Sequence, residues 1–76
     1  MKKIILIEDD EILSNQIYKY LSANNFDVEI CNSYKEAINK INNYFDLAIL
    51  DINLPDIDGF NLLKILRNNN IRVIIT

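Results

Sequence analysis

The residues able to do chemistry are carboxylates, and they stand at two places far apart in the chain. Glu8, Asp9, Asp10 and Glu11 follow directly on the apolar run Ile4-Ile5-Leu6-Ile7, and Asp51 follows Leu47-Ala48-Ile49-Leu50. If the two runs are neighbouring strands, about 4.8 Å apart, Asp51 and the Glu8/Asp9 pair open into one pocket. Like charges at that range repel, and burial makes the repulsion worse, so either some of them hold protons or a cation joins them. Oxygen donors alone, few in number and leaving room for water, suit Mg²⁺. With a metal neutralising the incoming oxygens, a carboxylate such as Asp51 can attack a phosphoryl group and carry it as an aspartyl phosphate. Thr76, at the end of a third apolar run, offers a hydroxyl to a phosphoryl oxygen. Each residue also has a plainer use: the acids after Ile7 favour a helix N-terminus, Asp51 is a strand exit, and Thr76 is a β-branched strand residue.

Composition closes other routes. The chain has 76 residues, eight Lys and Arg against eleven Asp and Glu, a net charge of −3 and no histidine. His-ligated zinc and Ser-His-Asp catalysis are excluded, and so is the basic footprint of direct nucleic-acid binding. One glycine, Gly59, cannot build a glycine-rich nucleotide cradle. A flavin mononucleotide phosphate would meet four successive acids after the first strand and be repelled. An EF-hand fails because Pro55 takes a ligand position if Asp51 comes first. Cys31, alone, cannot form an internal disulfide and is expected to be a small buried hydrophobe. No run is long enough for a signal peptide or a membrane span, so the expected location is cytoplasmic.

Elements must then bring the acids together. Lys3 to Ile7 and Leu47 to Leu50 are bare apolar runs, as in strands buried on both faces of a parallel sheet. Phe26 to Cys31 alternates, which suits an edge strand with one wetter face, and Ile71 to Ile75 forms a fourth strand. Between them, Leu13, Ile17, Tyr20 and Leu21 recur at helical spacing from Glu11 onward. Ser33 and Glu36 form a capping box ahead of Tyr34, Ala37, Ile38 and Ile41. Asp58 can cap a third helix carrying Phe60, Leu62, Leu63 and Leu66. The order β-α-β-α-β-α-β predicts an α/β parallel sheet with right-handed crossovers and helices on both faces. In such a sheet the strand C-terminal ends share one rim, where ligands bind.

Those residues resemble the receiver domain of two-component response regulators. The likeness rests on Ile4 to Asp10, on Leu47 to Gly59 (LAILDINLPDIDG) and on Ile74-Ile75-Thr76. The middle piece is specific: an apolar strand, Asp, two residues, an aliphatic, Pro, two residues, Asp and Gly. The resemblance implies a flavodoxin-like sheet of strand order 2-1-3-4. It implies that Asp51 is the phosphoacceptor, that Glu8 and Asp9 with Asp51 and the main-chain carbonyl of Asn53 hold Mg²⁺, and that Thr76 is the switch hydroxyl. Asp10 falls outside the acidic pair and is expected to start the first helix.

The implied partner is a sensor histidine kinase whose phosphohistidine supplies the phosphoryl group, with an output domain in a longer chain. The implied role is therefore a phosphoacceptor in its own transfer and not a turnover enzyme. Receivers continue through a further helix, a lysine-bearing fifth strand and a final helix, so residues 1–76 are expected to be a receiver domain incomplete at its C-terminal end. That leaves the last strand as an open edge beside a bare sheet face, through which two copies could associate. Two other readings stay in view. One is a non-phosphorylated interaction or dimerisation module. The other is a Mg²⁺-dependent phosphohydrolase of the haloacid-dehalogenase type, which places its nucleophile after the first strand and wants an acid where Asn53 stands.

Overall fold

A computed structural model describes residues 1–51 and 59–76; the expectations placed on Asn53, Pro55 and Asp58 lie outside the described residues. The elements are β1 (Lys3–Ile7), α1 (Glu11–Ala23), β2 (Asp27–Cys31), α2 (Tyr34–Lys40), β3 (Leu47–Leu50), α3 (Gly59–Asn68) and β4 (Arg72–Ile75). All strand pairs are parallel, and the sheet order is β2-β1-β3-β4. The run of branched aliphatics in β1 belongs in its centre: Ile4, Ile5, Leu6 and Ile7 are all buried, alternately on the two faces.

Helices α2 and α3 cover one face, packing Ala37, Leu62 and Leu66 onto Ile5, Ile7, Ala48 and Leu50. Helix α1 covers the other, setting Ile17 and Leu21 against Ile4, Leu6 and Val28. Leu47 and Ile49 on that second face are only half-buried, and Ile74 and Ile75 on the outer strand stand half exposed. β3 is therefore central in order but buried on one face only, because α1 lies over β1 and β2.

Two stripes pack differently from the periodicity. In α1, Leu13 is exposed and Tyr20 is 70% exposed. At about 100° per residue both lie to one side of Ile17, whereas Leu21 and the buried Ser14 lie to the other, and that side meets the sheet. In α3, Phe60 is exposed, and Leu62 and Leu66 carry the packing. The wetter face expected of β2 stops at Cys31, which is fully buried beneath α2.

Helices α1 and α3 close in the same way. Asn25 and Asn70 take positive φ, 68° and 59°. After α1, Asn25 N–H donates to the Ser22 carbonyl and Phe26 N–H to that of Leu21; after α3, Asn70 donates to Arg67 and Ile71 to Leu66. These are Schellman closures with asparagine in the left-handed position glycine usually takes. The second explains why β4 starts at Arg72: the N–H of Ile71 is spent on the helix, and its side chain is buried against α3.

Candidate functional site

Register brings the acids together. Ile7 pairs with Cys31 on one side and with Leu50 on the other, and Leu50 pairs with Ile75, so Glu8, Asn32, Asp51 and Thr76 all leave the sheet at one level. The ladder runs one step beyond the strands: Glu8 N–H donates to the Cys31 carbonyl at 2.9 Å, Asp51 N–H to Ile7 at 3.0 Å and Thr76 N–H to Leu50 at 2.9 Å. The carboxylates of Glu8, Asp9 and Asp51 each offer an oxygen within 4.8 Å of the others. Glu8 is buried, Asp51 intermediate and Asp9 exposed, so the group is a shallow pocket open on the Asp9 side.

Its electrostatics are those of crowded acids. The Glu8 carboxyl is pushed up to about 7, chiefly by burial, with the hydrogen bond and charge of Asp51 adding to the rise and the Asp10 N–H opposing it. That N–H reaches Glu8 Oε2 at 3.3 Å. A buried carboxyl pushed up beside two further acids leaves the site short of positive charge. Three hard oxygens around one point fit a divalent cation such as Mg²⁺, which binds through a few carboxylates and keeps part of its water.

The other expected residues separate. Asp10 is the N-cap of α1, its Oδ1 accepting from Leu13 N–H at 3.1 Å, and so it serves the helix, as expected. Thr76 lies on the rim, its hydroxyl donating to the Leu50 carbonyl at 3.4 Å. Asn53 is outside the described residues. Asn32 and Ser14, which residue types and periodicity did not single out, brace the acidic loop. Asn32 Nδ2 donates to the Glu8 carbonyl at 2.8 Å and to Ser14 Oγ at 3.4 Å. A polar residue just past the end of a parallel strand, at the level of the acids, is the signal that finds Asn32 once the register is known.

Residues 4–76 match the family model of the response regulator receiver domain. The chain is 36% identical over 76 residues to the response regulator ArlR of Staphylococcus saprophyticus, covering 99% of this chain and 34% of that protein. It is 36% identical over 67 residues to a transcriptional regulatory protein CpxR homolog of Haemophilus influenzae, covering 88% of this chain and 30% of the relative. Among solved structures, the non-phosphorylated HemR receiver domain from Leptospira biflexa superposes with a TM-score of 0.93 at 32% identity, over 99% of this chain and 63% of that one. The response regulator TrrA of Thermotoga maritima, in complex with Mg²⁺-BeF, gives 0.80 at 26% identity, over 99% and 66%. The chain thus spans about a third of the length of these curated relatives.

Proposed function

Since this chain belongs to the response regulator receiver domain family, we propose that it accepts a phosphoryl group on Asp51 from a sensor histidine kinase, with Mg²⁺ held by Glu8, Asp9, Asp51 and the main-chain carbonyl of Asn53. Receiver domains are signalling modules, and on this reading the chain takes part in its own phosphotransfer without turning over a substrate. The observation that carries it is the meeting of three carboxylates from two distant segments within 4.8 Å.

Magnesium, when bound, neutralises the phosphoryl oxygens as they approach. The chain does the rest. Glu8 and Asp9, which follow β1, would hold the cation together with Asp51. An Asp51 oxygen attacks phosphorus; the new O–P bond forms as the donor's P–N bond breaks, and the departing imidazole takes up a proton. The Leu50 carbonyl already accepts the Thr76 N–H at 2.9 Å. The 3.4 Å hydroxyl bond to the same oxygen is the weaker of the two and readily exchanged for a phosphoryl oxygen. We assign Thr76 that switch role.

Longer relatives named as transcriptional regulators support an output domain elsewhere in a longer protein, with DNA contact left to it, in keeping with a net charge of −3 here. Among the described residues no helix is long and apolar enough to cross a membrane. A cytoplasmic site of action follows from the proposed partner. The half-exposed Ile74 and Ile75 support association of two copies through β4 or the face beside it.

Intact-mass measurement after incubation with a small acyl phosphate and Mg²⁺ tests the reading. One added phosphoryl group on the parent and none on Asp51→Asn is the expected result. Phosphoryl mass on both proteins would overturn it, as would steady hydrolysis of an added phosphomonoester.

A further inference from the structure

Asn32 stands where β2 leaves the sheet, and its side chain continues the ladder that its main chain abandons. Glu8 N–H donates to the Cys31 carbonyl, the last regular bond between the strands. The next acceptor, the Glu8 carbonyl, would need a main-chain donor from β2, but there the chain turns into α2. The Asn32 amide supplies the donor instead, at 2.8 Å. Its Nδ2 also reaches Ser14 Oγ, at 3.4 Å. Ser14 is 1% exposed and in turn donates to the Glu11 carbonyl at 3.1 Å, while its N–H donates to the Asp10 carbonyl at 2.9 Å. Both ends of the four-acid segment 8–11 are therefore tied, directly or through Ser14, to one half-buried amide.

That amide is itself held. Ser33 caps α2 by accepting from Glu36 N–H at 3.2 Å, and the Glu36 carboxylate accepts from Asn32 N–H at 3.4 Å. The Asn32 main chain is thus fixed by the helix start, and its side chain reaches across to the acidic loop. Nothing in the expected cation set includes Asn32, and it offers the cation no negative charge.

We propose that Asn32 is a positioning residue for the cation site: by holding the Glu8 carbonyl and, through Ser14, the Glu11 carbonyl, it sets where the Glu8 and Asp9 carboxylates meet Asp51. The proposal rests on the reading of Glu8, Asp9 and Asp51 as the cation site and adds the residue that preorganises it. Groups that orient metal ligands from outside the ligand shell typically change affinity by about 10–100-fold when removed.

Calorimetric titration of the metal-free protein with Mg²⁺ alone tests it, run beside thermal melts without Mg²⁺. Asn32→Ala is expected to raise the Kd for Mg²⁺ about tenfold. Asn32→Leu, similar in volume and without a donor, is expected to do the same and covers the case in which the alanine variant folds poorly. The control is Asp46→Asn, which weakens the bond from Lys3 N–H at the opposite end of the sheet; it is expected to lower Tm while leaving Kd within about twofold, since that bond acts on stability alone. Asn32 variants that lower Tm but keep the parent Kd would make the residue merely structural and overturn the proposal. Failure of the parent to bind Mg²⁺ would instead overturn the site reading on which it rests, so the two failures are distinguishable.

Discussion

Asp46 and Asp51 bracket the same four-residue strand and serve opposite ends of the sheet. Asp46 Oδ2 accepts from Lys3 N–H at 2.9 Å while its own N–H donates to the Lys3 carbonyl at 2.8 Å, fastening β3 to the start of β1. Asp51, at the other end, joins Glu8 and Asp9. The same residue type is a strand clamp in one place and a candidate nucleophile in the other, and only its level along the strand differs.

Substituting the two therefore separates stability from chemistry. Asp46→Asn weakens a charge-assisted bond and is expected to lower stability by about 1 kcal/mol while phosphoryl uptake persists. Asp51→Asn is expected to abolish uptake, with a melting temperature equal to or above the parent's, because one of three crowded carboxyls is gone. Intact-mass measurement and thermal melts read both. An Asp51→Asn protein that still gains phosphoryl mass would remove the basis for the assignment.

The Glu8 carboxyl makes metal-free stability depend on pH. Its folded-state value, about 7, lies above the ordinary 4.5, so between those limits the folded chain holds a proton that the unfolded chain releases. The contribution is fully present below pH 4.5, declines as pH rises, and is gone above about 7, a loss of roughly 1–3 kcal/mol. Denaturant unfolding at pH 5 and pH 8 is expected to show this decline in the parent and not in Glu8→Gln. Equal slopes in the two would place the titration elsewhere.

Cation binding should offset that loss. Mg²⁺ at about 100 times its Kd stabilises the folded state by about 2.7 kcal/mol, if the unfolded chain does not bind it. The melting temperature is expected to rise with Mg²⁺, to fall back on chelation, and to be unmoved in Asp9→Ala. A parent melt indifferent to Mg²⁺ would count against the cation site.

Among core residues, Leu66 is fully buried between α3 and the sheet. Leu66→Ala is expected to cost about 3 kcal/mol, within the range for buried leucines. For a domain of this size that is a large part of the total, so the variant should unfold at much lower denaturant concentration. A shift as small as that of a surface substitution would mean that α3 is poorly seated.

Much of this was legible in the chain because parallel sheets leave strong marks. Bare aliphatic runs at β1 and β3, helical spacing between strands and the Ser33/Glu36 cap gave the element order, and parallel register then obliges the residues after Ile7 and Leu50 to be neighbours. Polar residues that bond to main chain were the hard part. Asn32 and Ser14 belong to no apolar repeat, and their closest partners are carbonyls, which carry no sequence signal. The helical spacing of α1 is plain in the chain, but its buried flank is hidden for a related reason. Tyr20 and Leu13 fit the spacing as well as Leu21 does, and which flank of a helix meets the sheet is decided by tertiary packing, not by its own residues.

The paired asparagine closures after α1 and α3 lie at the end of the molecule away from the acids, where β2 and β4 begin. Main-chain fastening of this kind and the clustered carboxyls thus stand at opposite poles. An engineer wishing to toughen it could rework positions 25 and 70 toward glycine, the residue best suited to a left-handed backbone, leaving the reactive pole as it is. Such changes would act on the folded chain without altering any of the three clustered carboxyls.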